Sequence, residues 1–195
     1  MKAGLPIAIL AGGEGRRIGG GKALRLLAGS TLIDRALAIA RSWSSEVLVM
    51  ARQPIAGLDA PVLPDESAIA GPLGGLVAAL RHARASDADR LLTLPCDMPF
   101  LPNDLPDRLG AGVGDAQAAL AMSGSQVHPV CGLWRLEALD SIDSFLASGR
   151  RSLRGFAEAV GCVAIEWACD PIDPFFNVNS ADDLAWAEAV LAERA

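Results

Sequence analysis

Histidine and cysteine are scarce in this chain, with two and four respectively among 195 residues. Cys96, Cys131, Cys162 and Cys169 show no C-x-x-C spacing, so a zinc site is not expected. Cysteines without a framework read as reduced thiols, which fits a cytoplasmic protein. No apolar run approaches the length of a membrane span, and the apolar run in Met1–Pro6 is too short for a signal peptide. Positive charge is also short, with a formal net charge of −6. That overall field attracts neither nucleic acid nor an anionic membrane, so neither is an expected partner. Repeats, low-complexity tracts and linkers are lacking. With 51% hydrophobic and 21% charged residues, a single domain over residues 1–195 with a sizeable core is expected.

Glycine, by contrast, is concentrated. Six glycines fall within Gly12–Gly21, directly after an apolar segment, Leu5–Leu10, that reads as a buried strand. Such a stretch is neither a helix interior nor a packed strand. It is a loop whose backbone can approach a ligand closely. Arg16, Arg17 and Lys22 lie in or beside it, so the expected ligand is anionic. Inward backbone N–H groups and fixed cations suit a triphosphate. A Walker A loop is excluded, because Lys22 is followed by Ala23 and Arg16 stands where the first glycine belongs. A dinucleotide fingerprint fails at Ile18, where its third glycine belongs. The competing structural reading is a flexible basic surface loop.

Apolar runs and helical periods then alternate. Strands are predicted at Leu5–Leu10, Glu46–Ala51, Ala60–Leu63, Arg90–Leu94 (stopped by Pro95), Ala116–Met122, His128–Leu133 and Cys162–Trp167. Helices are predicted at Leu32–Trp43 (capped by Ser30 or Thr31), Leu73–Ala85, Leu136–Ser148, Ser152–Val160 and Ala181–Ala192. Strand–helix alternation implies a mostly parallel sheet with helices on both faces. Ligands then bind beyond the carboxyl ends of strands, where the strand order reverses.

Three further motifs sit at strand ends or turns. Leu63-Pro64-Asp65-Glu66 precedes Gly71-Pro72-Leu73-Gly74-Gly75, and on its own Asp65 reads as a loop carboxylate. In Leu94-Pro95-Cys96-Asp97-Met98-Pro99, two prolines stiffen the chain around Asp97. An acid held there can bind Mg²⁺ against phosphate oxygens, or simply cap a turn. Cys96 reads as inert packing. In Phe175-Phe176-Asn177-Val178-Asn179-Ser180-Ala181-Asp182-Asp183-Leu184, Ser180 and Asp183 form a near capping box. Asn177 and Asn179 add amides to that loop. His128 precedes Pro129 and on its own reads as structural.

Together these motifs resemble the nucleotidyltransferases that activate small molecules, most closely the molybdenum cofactor guanylyltransferases (MobA type). The likeness runs through L-A-G-G-x-x-R-R-I-G-G then Lys, P-D then G-P-L-G-G, L-P-C-D-M-P, H-P and F-x-N-V-N-S-A-D-D-L. It implies a Rossmann-like three-layer α/β/α nucleotidyltransferase fold. It also implies guanylyl transfer from GTP to a molybdopterin-type cofactor, with Mg²⁺ as metal and delivery and acceptor proteins as further partners. By the same resemblance, Leu10, Ala11, Gly12 and Gly13 contact the nucleotide, and Asp65 touches the guanosine. Arg17 and Lys22 neutralise the triphosphate and Asp97 holds Mg²⁺, making these three the expected catalytic residues. His128, Asn177 and Asn179 fall on the pterin side.

The chain departs from that pattern in places. Gly21 replaces an acidic residue before the lysine, and the loop there is one residue shorter. Met50 replaces a nucleotide-contacting asparagine, so either Arg52 or Gln53 substitutes or base affinity is altered. Other readings therefore stay open: a CTP-dependent cytidylyltransferase, another small-molecule nucleotidyltransferase, or a non-catalytic GTP-binding partner in cofactor insertion. Gly12-Gly13 favours GTP over CTP, since a missing side chain leaves room for a purine.

Overall fold

The computed structural model describes residues 4–12 and 21–193. In chain order it begins with β1 (Ile7–Leu10), a 3₁₀ turn (Lys22–Leu24), β2 (Leu26–Leu27), β3 (Ser30–Thr31) and α1 (Leu32–Trp43). Next come β4 (Val47–Ala51), β5 (Val62–Pro64), α2 (Pro72–Ala83), β6 (Arg90–Pro95) and α3 (Leu105–Gly112). The chain continues through β7 (Ala118–Ser123), β8 (Gln126–Arg135), a 3₁₀ segment (Leu136–Ser141) and α4 (Ile142–Ala147). It closes with α5 (Leu153–Val160), β9 (Cys162–Trp167) and α6 (Ala181–Glu193).

Seven of these strands form one sheet in the order β5-β4-β1-β6-β8-β7-β9, and β2 and β3 form a separate hairpin. Among the described residues, β8 alone runs against the others in the large sheet. β1, with all four residues buried, is hydrogen-bonded on both sides. It pairs with β4 through Leu10↔Met50 and with β6 through Leu10↔Pro95. Strands covered on both faces must be apolar throughout, as Ile7-Ala8-Ile9-Leu10 and Val47-Leu48-Val49-Met50 are. α1 and α3 pack on one face with Ile33, Leu37, Leu105 and Leu109. α2, α4 and α5 cover the other with Leu76, Leu80, Phe145 and Phe156. The result is the expected three-layer, mostly parallel fold.

Several local readings are refined. Thr31, not Ser30, caps α1, its hydroxyl accepting from the Asp34 N–H at 3.1 Å. β6 includes Pro95, which the strand tolerates at its last position. The helix expected over Leu136–Ser148 is a 3₁₀ segment that leads into α4. Buried Leu136, Leu139 and Ile142 recur every three residues, the period of a 3₁₀ helix rather than an α-helix. β8 starts two residues before the expected His128 and contains Pro129. Its pairing with β7 shifts register between Leu120 and Ala121, and an irregularity of this kind is where a strand can hold a proline.

The topology also fixes where a ligand can bind. From β1 the chain moves outward through β4 and β5, then crosses back to β6 on the other side of β1. The carboxyl ends of β1 and β6 therefore flank a switch point, where α/β sheets open a crevice. Gly74 in α2 shapes one wall. A Cβ there would lie 2.5 Å from the Ile69 carbonyl oxygen and 3.0 Å from that of Glu66. Its own carbonyl accepts the Glu66 N–H at 3.2 Å. The loop after β5 thus closes directly onto helix backbone. Gly74→Ala is expected to lower unfolding free energy by about 1–3 kcal/mol, read by urea denaturation.

Candidate functional site

Four parallel strands deliver their next residues to the same edge. β1 leads to Ala11 and Gly12, β4 to Arg52, β5 to Asp65, and β6 to Cys96 and Asp97. A cavity of about 630 Å³ opens there, bounded by Leu10, Gly12, Asp65, Gly75, Asp97 and Asn177 among others. Lys22 and Arg52 also line it. A second cavity of about 460 Å³ adjoins it, with Ala11, Gly12, Lys22 and Arg52 on its wall. Both volumes fall in the range typical of small-ligand sites.

The first cluster is built around Asp65. A Cβ on Gly12 would collide with the Asp65 carboxylate, and a Cβ on Gly75 would lie 3.2 Å from its Oδ1. The two glycines therefore make room for one carboxylate between β1 and α2. Asp65 Oδ1 is buried without a hydrogen-bond partner. Burial raises the Asp65 pKa above the usual carboxylate value, opposed by the nearby Arg52 charge. A buried acceptor left open beside a cavity is poised to take a donor from a ligand. The Gly74-Gly75 pair is the sequence signal for this packing, since two glycines in a first helical turn cost propensity that a close approach must offset.

The second cluster is built around Lys22. Its ammonium donates to Asn177 Oδ1 at 3.0 Å and Asn179 Oδ1 at 2.8 Å, and it forms an ion pair with Asp97 Oδ2. A lysine has three N–H donors, and three acceptors meet it here. The paired side chains are only 12% and 15% exposed, so the interaction is screened far less than a surface pair. Asp97 Oδ1 is buried with no partner. The Asp97 carbonyl accepts the Val178 N–H at 2.9 Å, tying β6 to the asparagine motif. Phe175 and Val178 are buried, whereas Asn177 and Asn179 reach Lys22. That alternation pins the motif from behind and presents its amides forward.

The structure thus brings Leu10, Gly12, Lys22, Asp65, Asp97 and Asn177 to one cavity, with Ala11 in the adjoining one and Asn179 on Lys22. Gly13 and Arg17 lie outside the described residues. His128 is buried off the cavity wall. Its ring stacks on Phe175, with centroids 4.9 Å apart, and its Nε2 lies 2.8 Å from Ser123 Oγ. Burial lowers its pKa. Met50 is fully buried among the residues under α2, and its carbonyl accepts the Ala11 N–H. Arg52, two residues on, lines the cavity instead. Cys96 does read as inert, because burial and the Asp97 charge push its thiol up to about 12. Met98 and Val130 also line the cavity. No spacing rule singled them out, because they are ordinary apolar residues until the fold places them.

Residues 7–162 match the family model described as a MobA-like NTP transferase domain, and the chain belongs to that family. It is 39% identical over 191 residues to a molybdenum cofactor guanylyltransferase of Cereibacter sphaeroides, covering 96% of this chain and 97% of that one. It is 42% identical over 187 residues to a protein of the same name from Acidiphilium cryptum, covering 93% and 92%. Among solved structures it resembles molybdopterin-guanine dinucleotide biosynthesis protein A of Archaeoglobus fulgidus. That match has a TM-score of 0.76 and 24% identity, and covers 97% of this chain and all of that one. At that identity the likeness speaks for the fold.

A carboxyl whose folded pKa is raised favours its neutral form in the fold, so its ionised form destabilises the protein at neutral pH. Asp65→Asn is expected to melt above the parent at pH 7. The gap should close below about pH 4, where Asp is protonated in both states. Thermal melts at the two pH values check this; a variant less stable at pH 7 would contradict it.

Proposed function

We propose that this member of the family transfers GMP from GTP to the molybdopterin form of the molybdenum cofactor, releasing pyrophosphate. The carrying observation is the Lys22 ammonium, held by Asp97, Asn177 and Asn179 at the wall of a nucleotide-sized cavity. The guanylyl choice is supported by the relatives named as guanylyltransferases; the room at Gly12 is taken by the Asp65 carboxylate and does not itself select a purine. As a member of the family the protein is a nucleotidyltransferase.

In this reading a phosphate oxygen of the acceptor attacks the α-phosphorus of GTP. The bond to the β-phosphate bridging oxygen breaks, and pyrophosphate leaves with its electrons. No covalent enzyme intermediate is required, so the protein contributes alignment and charge. Lys22 neutralises the triphosphate from a place fixed by its three acceptors, and one of its N–H groups leaves an acceptor to meet a phosphate oxygen directly. Arg17 is proposed to share that task. Asp65 accepts from the guanosine through its open Oδ1, Leu10, Ala11 and Gly12 line the nucleotide's path, and Gly13 is proposed to contact the nucleotide. Asn177 and Asn179 lie toward the pterin, and His128 supports them through Phe175.

The donor set fits Mg²⁺ in one particular way. Among the described residues no group of three or more His, Cys, Asp or Glu side chains could hold a metal. Asp97 does offer the open, buried Oδ1. Mg²⁺ commonly takes one or two carboxylates and completes its shell with water and substrate phosphates. Asp97 would therefore hold it together with the nucleotide, and the ion would supply charge neutralisation on the phosphate oxygens. Proteins that deliver the cofactor and accept the product belong to the same proposal. Among the described residues, no helix is long and apolar enough to cross a membrane.

The test is pyrophosphate release with molybdopterin cofactor and Mg²⁺, supplying GTP, CTP, ATP and UTP separately. Release with GTP that depends on the cofactor is expected. Release with CTP instead, or with none of the four, would contradict the proposal. Lys22→Ala is expected to lower turnover by about 10²–10³ with the fold intact by circular dichroism. Asp97→Asn should shift the Mg²⁺ titration to higher concentration, and an unchanged titration would remove Asp97 as the metal ligand.

A further inference from the structure

The two amides that meet Lys22 lie on residues 177–179, a stretch outside any helix or strand. An irregular segment holds a side chain in place only if its backbone is anchored. One anchor is the Val178 N–H on the Asp97 carbonyl. The second comes from α6. Asp183 Oδ2 accepts two successive backbone N–H groups, from Asn179 at 2.8 Å and from Ser180 at 2.8 Å. The Ser180 hydroxyl accepts the Asp183 N–H at 3.1 Å in return.

A capping box needs only the reciprocal bonds between the cap residue and the third helical position, here Ser180 and Asp183. The bond from the Asn179 N–H is additional. It reaches back into the motif and fixes the peptide plane from which the Asn179 side chain projects toward Lys22. Both bonds are charge-assisted, and such bonds are about twice as strong as neutral ones. The Asp183 pKa is held below the ordinary value, chiefly by the Asn179 N–H, despite the side chain's near-surface position. α6 thus carries a carboxylate whose contacts reach the backbone of Asn179, itself a Lys22 acceptor.

We propose that Asp183 is a positioning residue for guanylyl transfer: through the Asn179 and Ser180 N–H groups it holds the asparagine motif so that Asn177 and Asn179 aim Lys22 at the triphosphate. This rests on the function proposed above. Asp183 itself touches no substrate in this scheme and acts through Lys22. Glu is the usual residue at the third position of a capping box, so Asp183→Glu can keep both bonds and Asp183→Ala loses them.

The test combines kinetics with amide exchange in the full chain. Asp183→Ala should lower kcat/KM for GTP about tenfold at a temperature where it stays folded, and Asp183→Glu should recover it to within about twofold. In an Asn177→Ala/Asn179→Ala background the same change should cost less than about twofold, because the groups it positions are gone. Val178 provides the readout independent of activity, since its N–H bonds to Asp97 and not to Asp183. Its exchange should rise about tenfold in Asp183→Ala, with Ile9 in β1 unaffected. Unchanged Val178 exchange, parent-like kcat/KM in Asp183→Ala, or an equal loss in the double-asparagine background would overturn the proposal. If the parent itself releases no pyrophosphate from GTP, the functional reading fails, and Val178 exchange then decides whether Asp183 holds the motif.

Discussion

Lys22 carries one positive charge and three N–H bonds, and each finds an acceptor from a distant part of the chain. Asp97 follows β6, and Asn177 and Asn179 lie 155 and 157 residues away in sequence. The contact requires both the pairing of β1 beside β6 and the docking of the C-terminal motif on Asp97. It is therefore a consequence of the whole topology, concentrated at one ammonium. It also explains how an acidic protein manages a polyanion: the positive charge is local and held by neutral amides and one carboxylate.

Two carboxylates at this edge sit in environments that suit a ligand better than they suit the isolated fold. Asp65 has a buried oxygen without a donor, and Asp97 has another. Each open acceptor is a cost to folding that a bound donor or cation offsets. The surrounding core makes this tolerable. β1 is buried on both faces, and large buried side chains such as Trp134 are satisfied, its indole N–H donating to Thr93 Oγ1 at 3.0 Å. Of the four buried side-chain polar atoms without a partner among the described residues, the two on Asp65 and Asp97 sit at the crevice, where the chemistry is proposed to occur.

Much of the fold was legible because its punctuation is strong. The buried strands are short apolar runs, and glycine or proline follows several at the crevice edge. Asp97 stood out between its two prolines, whereas Asp65 on its own read as a loop carboxylate and owed its role to the resemblance. α3 was not legible: Leu105-Pro106-Asp107-Arg108-Leu109-Gly110-Ala111-Gly112 holds one proline and two glycines, and only Leu105 and Leu109 of the helix are buried. Here tertiary packing overrides poor local propensity. The β2–β3 hairpin, two residues per strand, is too short to show a period. The meeting of Lys22 with Asn179 was beyond reach as well, since spacing cannot reveal a contact across more than 150 residues. His128 and Met50 show the same limit, because which way a side chain faces depended on the register of β8 and on the core beneath α2.

Lys22 and Asp97 form one coupled, largely buried unit on which the crevice depends. Urea unfolding of Lys22→Met, Asp97→Asn and the double variant tests this most directly. Removing one partner strands the other, so each single change is expected to cost about 1–3 kcal/mol, whereas the double variant should recover much of that loss. Two single losses that simply add in the double variant would show that the pair is not coupled and would contradict the account.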